Sequence, residues 1–226
     1  MPVWVSPLMG KLIEPAPPWT PNEKHAMILA WYAIGAIPHH HRQAIMATRT
    51  VSAIEASVRR LQALHINFVG VDFDQTIIDI HTGGRWNGTP DELVTHVRPE
   101  FKQLLPALLH NQISVAVVTF SPQTKLIQHV LETIVGPEQA ARIPIRGGDK
   151  TWTYSGAGSK AGKQAHMASA VEELEQDGSI HITRGSAVLI DDDVNNIRHS
   201  LKNGVRGVWL NPSKPHHLFR DLKNLE

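Results

Sequence analysis

The chain of 226 residues contains no cysteine. That absence removes disulfides, thiolate nucleophiles and thiolate metal sites together, and it fits a reducing compartment, so a cytoplasmic protein is expected. An excess of either charge is missing too: 22 Lys and Arg against 21 Asp and Glu leave a formal net charge of +1. With no long basic run, charge gives no signal for nucleic-acid binding. The opening "MPVWVSPLMGKLIEPAPPWTP" lacks a basic segment followed by an unbroken apolar one, so it does not read as a secretory signal. "AMILAWYAIGAI" (26–37) is shorter than the ~20 residues that cross a bilayer. It reads as a buried helix, and no membrane partner is expected.

What is present suits a packed globular protein: 42% hydrophobic residues and 16 glycines. The length suits one medium-sized domain with an extension. Residues 1–19 are proline-rich and irregular. At "TPNE" Thr20 can cap a helix, Pro21 suits its first position, and Glu23 completes a capping box. A helix to about Ala36, a break at "IPHHHRQ" and a short helix towards Thr48 follow. A clearer helix covers 50–64, with Val51, Ile54, Val58 and Leu61 on one stripe. Residues 20–64 are therefore expected to form a helical extension, with the main domain over 65–226. Within that domain apolar strands at 68–71, 113–118, 142–145, 186–190 and 207–210 alternate with helices at 99–109, 123–135, 163–176, 194–203 and from 215. A glycine-rich loop and possible hairpin fall at 147–159. This alternation predicts an α/β fold, a Rossmann-like parallel sheet with helices on both faces.

Such sheets bind ligands beyond the carboxyl ends of their strands. "FVGVDFDQT" delivers Asp72 and Asp74 there, on the same side of an extended chain by alternation. "ISVAVVTFS" delivers Thr119. "SAVLIDDDVNNI" delivers Asp191, Asp192 and the neighbouring Asp193, and Lys163 opens the helix before it. Several carboxylates facing one another call for a hard divalent cation, and oxygen-only ligation points to Mg²⁺. A lysine and a hydroxyl beside them suit phosphoryl transfer, which asks mainly for positioning and charge neutralisation. A carboxylate can serve as its nucleophile.

"DFDQT", "VVTFS", "GKQAHM" and "LIDDDVNNI" resemble, in the usual order, the four motifs of the haloacid dehalogenase-like (HAD) phosphohydrolase superfamily over roughly residues 65–212. Lys163 followed by His166 and Met167, with "DDxxxNI" later, looks most like the capless magnesium-dependent phosphatases. The resemblance implies Asp72 as nucleophile and Asp74 as general acid/base. It implies Thr76 as a brace for the loop, and Thr119 with Lys163 and Ser121 as the phosphoryl-binding groups. Asp72, the backbone carbonyl of Asp74, Asp191 and Asp192 would hold Mg²⁺, and Asn196 would tie down the last loop. Gln75 stands where glycine is commonest. The three-residue acidic run leaves the metal ligand open by one place. Lys160 and Lys150 also precede the last motif; Lys163 is favoured because it opens a helix with Met167 one turn on.

A receiver domain of two-component signalling carries its acidic pair early and its lysine last, which this order contradicts. Dehalogenation does not call for a carboxylate where Asp74 stands, whereas protonating a leaving alkoxide does. The segment 79–98 is far below the ~50 residues of a minimal domain, so no large cap is expected and the site should be open. "HTGGRW" offers His81, Arg85 and Trp86 either to a substrate or to a flap packed for its own sake. The "HHHR" run (39–42) reads as surface loop rather than a zinc site, and the N-terminal helices offer a surface for homo-oligomers. Two functions follow: a Mg²⁺-dependent phosphatase acting on a phosphorylated small molecule or macromolecule, or a HAD-fold binding or regulatory protein with weak hydrolysis.

Overall fold

The structure is a computed structural model and describes residues 53–153 and 161–226. Five strands form one sheet: β1 (Phe68–Val71), β2 (Ser114–Val118), β3 (Ile145–Arg146), β4 (Ala187–Asp191) and β5 (Arg206–Trp209). Their order is β3-β2-β1-β4-β5 and every pairing is parallel. The helices are α1 (53–63), α2 (Pro90–Thr95), α3 (Pro99–His110), α4 (Thr124–Val135), α5 (Pro137–Ala140), α6 (Gln164–Leu174), α7 (Val194–Lys202) and α8 (Leu218–Lys223).

Strand parity divides the interior in two. Val69, Val71, Val115, Val117, Val188 and Ile190 face a core completed by α1, α3, α4 and α8. Phe68, Ala116, Val118, Ala187 and Leu189 face the other way, against Met167 and Ala170 of α6 and Ile197 of α7. Both faces are thus covered, as the unbroken apolar strands predicted. Burying one such side chain stabilises by ~1.5–3 kcal/mol, and a one-residue slip would exchange the faces of a whole strand. That fixes the register in which the ends of β1, β2 and β4 lie side by side.

The stripe Ile54, Val58 and Leu61 is buried in the first core. Helix α1, assigned from the sequence to the extension at 20–64, is therefore a layer of the compact unit Thr50–Glu226. The expected helices over 20–48, the "HHHR" run and Lys160 lie outside the described residues. β3 begins at Ile145 rather than 142, because Pro144 has no N–H and enters the ladder only as an acceptor, from Val117 N at 2.9 Å. The described part of the glycine-rich segment, 147–153, holds bends and no strand. Segment 79–98 carries loop plus α2, closed at its base by an Ile78–Val97 bridge. No inserted domain stands among the described residues, and none of their helices is long and apolar enough to cross a membrane.

Candidate active site

The central strand β1 ends at Val71, and Asp72 follows it with its N–H bonded to Ile190 O at 2.9 Å. Asp72 thereby sits between the end of β4, which carries Asp191, and the end of β2, which leads into Thr119. Beyond Asp72 the chain is no longer extended. Residues Phe73–Ile77 turn back sharply, with Ile78 N bonded to Phe73 O at 3.1 Å and buried Phe73 and Ile77 as anchors. Asp74 reaches the same cleft as Asp72 because of this turn, not because of strand alternation. Gln75 occupies the left-handed region at φ 57°, which explains why a glycine suits that place.

Lys163 is carried in by α6. Its Nζ donates to Asp72 Oδ1 at 2.8 Å and to Val118 O at 3.0 Å, and lies 4.0 Å over the Phe120 ring. The lysine is 1% exposed, so it is a buried charge matched to a buried carboxylate. The helix that carries it packs tightly on Gly70. A Cβ there would stand 3.3 Å from Met167 Cε, and Met167 lies one helical turn after Lys163, on the same face. A bare strand position thus gives the Met167 side chain room against β1, beside the strand end that carries Asp72.

Asp191 is wholly buried; its two oxygens each accept from Asn196 Nδ2 at 3.0 Å, and Oδ1 also accepts from Asp193 N at 2.9 Å. Thr76 Oγ1 donates to Asp192 Oδ1 at 3.3 Å and accepts from Asp192 N at 3.2 Å, tying the β1 turn to the β4 loop. The indole of Trp209 adds a bond to Asp192 O at 2.7 Å. Asp72, Asp191 and Asp192 each offer an oxygen within 4.8 Å of the others. Asp193, the third acid of the run, is not in this group: it caps α7, accepting from Asn195 N at 2.8 Å. Lys150 is exposed and sits in a left-handed turn.

Burial pushes the Asp72 carboxyl up, against the Lys163 ammonium. Burial, then the Asp72 charge, push Asp191 up to about 8 and Asp192 up to about 6. Ionising all three crowded carboxylates against one ammonium is therefore unfavourable unless further positive charge joins them. An oxygen-seeking divalent cation fits that donor set.

Thr119 is 2% exposed and its Oγ1 accepts from Ser121 N at 3.1 Å, which leaves the O–H available as a donor. Gly147 and Gly148 lie against this loop so closely that a Cβ would come within 2.5 Å of Ser121 O or 2.7 Å of Phe120 O. The loop's path therefore depends on both glycines. Asp72, Asp74, Thr119, Phe120, Ser121, Lys163 and the acidic run Asp191–Asp193 line a cleft of about 550 Å³, together with Gln75, His81, Gly83, Gly84, Pro122 and Asn196. Of the flap residues singled out in the sequence, His81 faces the cleft. Arg85 is exposed and does not line it, while half-buried Trp86 rests on the core and on His96. Phe120, Gln123 and Thr82, which sequence reasoning missed, contact the cluster. Phe120 and Gln123 could have been signalled by their nearness to the end of β2, and Thr82 by its place in the flap segment "HTGGRW".

No family model matches the chain, and no curated protein matches it. Among solved structures, an uncharacterized protein from Corynebacterium glutamicum is similar over 71% of this chain and 97% of its own, at 20% identity and a TM-score of 0.43. The HAD domain of the effector protein Lem4 from Legionella pneumophila, an inactive mutant, is similar over 70% of this chain and 92% of its own, at 17% identity and a TM-score of 0.39. The fold and side chains themselves define a doubly wound α/β protein with a buried carboxylate–lysine centre at its strand ends.

Proposed function

We propose that the chain is a Mg²⁺-dependent phosphomonoester hydrolase of the HAD type that works through a phosphoaspartate on Asp72. The observation that carries this reading is the buried Lys163 ammonium, 2.8 Å from Asp72 Oδ1, beside a group of three carboxylates within 4.8 Å. Asp72, Asp191 and Asp192 would hold the metal, with the backbone carbonyl of Asp74. Bound there, Mg²⁺ supplies positive charge that offsets the carboxylates and the phosphoryl oxygens.

Asp72 attacks phosphorus, forming a carboxylate–phosphorus bond as the bond to the leaving oxygen breaks. Asp74 gives that oxygen its proton and the alcohol departs. Asp74, now a carboxylate, takes a proton from water as the water attacks phosphorus; inorganic phosphate leaves and Asp72 is restored. Lys163 has two of its three hydrogens engaged by Asp72 and Val118, so one remains for a phosphoryl oxygen. The Thr119 hydroxyl donates to another, and Ser121 N is held by Thr119 at the same loop.

Turnover of p-nitrophenyl phosphate with and without Mg²⁺ tests the reading. Hydrolysis that requires the metal and stops with chelator is expected; no turnover of this ester or of a panel of phosphorylated metabolites and phosphopeptides would overturn it.

A further inference from the structure

We infer that Thr82 is a positioning residue that fixes the Asp74 carboxylate and leaves its Oδ2 as the oxygen that moves the proton. This deepens the proposed hydrolase and rests on Asp74 as its acid/base. Thr82 N donates to Asp74 Oδ1 at 3.2 Å, and Thr82 Oγ1 lies 2.9 Å from Oδ1 and 3.1 Å from Oδ2. The hydroxyl has no other choice of direction. Its oxygen already accepts from Gln123 Nε2 at 3.2 Å and from Gly84 N at 3.3 Å, so its single hydrogen points to Asp74.

Gln123 is oriented in turn. Its Oε1 accepts from Trp86 N, so its amide nitrogen faces Thr82 and, at 3.4 Å, Ser121 Oγ. The flap is pressed against the same loop at Gly84, where a Cβ would come within 3.0 Å of Pro122 Cδ. The chain Trp86–Gln123–Thr82–Asp74 therefore runs from the flap, across the β2 loop, to the acid/base. Oδ1 receives both the N–H and the nearer approach of the hydroxyl, so it is the anchored oxygen. Oδ2 faces His81 Nδ1 at 3.3 Å, a side chain 66% exposed at the cleft. A proton carried by Asp74 is accordingly placed on Oδ2, on the side open to a leaving group.

A purely structural threonine would affect every substrate alike; one that aims the proton would not. Thr82→Val, Thr82→Ser and Gln123→Leu are to be compared with wild type on p-nitrophenyl phosphate and on a simple alkyl phosphate, by rapid quench and at steady state. In Thr82→Val the alkyl ester, whose alkoxide needs the proton, is expected to lose roughly 10²-fold in rate. The first-turnover burst of nitrophenolate should change by less than about threefold, followed by slowed turnover, because water attack still needs the base. Thr82→Ser should restore both esters. Gln123→Leu should show the same split more weakly, and it carries the test if Thr82→Val does not fold. Equal losses on both esters in the first turnover, or none, with wild type active would overturn the role of Thr82. A wild type inactive on both esters would instead remove the hydrolase reading on which it rests.

Discussion

Asp72 and Asp74 stand two residues apart and live in different surroundings. Asp72 lies in a buried bed made by strand ends: 7% exposed, bonded to a lysine that is 1% exposed, beside a fully buried Asp191. Asp74 belongs to a flap wall, held by Thr82 and approached by the exposed His81. The bed is a desolvated charge cluster whose members depend on one another. The wall is a chain of neutral hydrogen bonds around one carboxylate. A nucleophile suits the first environment and a group that exchanges protons with substrate and water suits the second.

Amide substitutions break this comparison most sharply. Asp72→Asn should abolish p-nitrophenyl phosphate turnover and the burst, a loss of at least about 10³-fold. Asp74→Asn should lose ~10²–10⁴-fold at steady state yet still give a burst with this good leaving group. Undiminished hydrolysis by Asp72→Asn would remove the assigned nucleophile.

Lys163→Met tests whether the bed is one unit. The side chain keeps its length but leaves the Asp72 carboxylate without its ammonium, so urea unfolding in chelator should show a loss of about 3 kcal/mol. Adding Asp72→Asn to that variant should recover part of the loss, because no unpaired charge is then buried. Additive losses in the double variant would mean that the contact at 2.8 Å contributes packing only.

His166 sharpens the same boundary. It is 2% exposed, lies edge-on to Phe120 and Trp152, and burial, reinforced by the Lys163 charge, pulls its imidazole down from 6.5 to about 4. The unfolded chain therefore binds a proton at this residue at a higher pH than the folded chain does. Stability is lost as pH falls from 6.5 towards 4, by about 3 kcal/mol over the window. The difference in unfolding free energy between wild type and His166→Gln should shrink by that amount between pH 7 and pH 4. Parallel curves would show that this histidine is not held neutral.

Much of the bed was legible in the chain, and the wall was not. Strand periodicity and the run of helices locate β1, β2 and β4, and with them Asp72, Thr119 and Asp191. Lys163 could be chosen because it begins a helix with Met167 one turn later, which is how α6 meets Gly70. The acidic triplet stayed ambiguous because a strand end cannot be placed to one residue by pattern; hydrogen bonds assign Asp193 to the cap of α7. Helix α2 stands outside the expected helices although "TPDE" (89–92) carries the same signal as "TPNE" (20–23). Thr89 and Glu92 form the reciprocal capping box, with Pro90 at the first position. The Thr82–Gln123 contact joins residues 41 positions apart through side-chain geometry alone, for which no local periodicity exists.

Gln75 is the hinge between bed and wall, and it gives the smallest expected effect. Its left-handed φ of 57° is imposed from outside: Gln75 N bonds to Ile80 O at 2.9 Å, Arg98 Nη2 bonds to Gln75 O at 3.2 Å, and Phe73 and Ile77 anchor the turn in the core. A residue with a Cβ pays about 1 kcal/mol for this conformation, and glycine does not. Gln75→Gly and Gln75→Ala remove the same side-chain contacts, so the difference between them isolates the backbone. Gln75→Gly should be the more stable of the two in urea by roughly 0.5–1 kcal/mol, after allowing for glycine's freer unfolded chain. The Asp72 burst should be retained in both, since neither change touches the bed. A less stable Gln75→Gly would show that the turn carries no backbone strain at φ 57°, and that the path from the bed to Asp74 is set without a conformational cost at this residue.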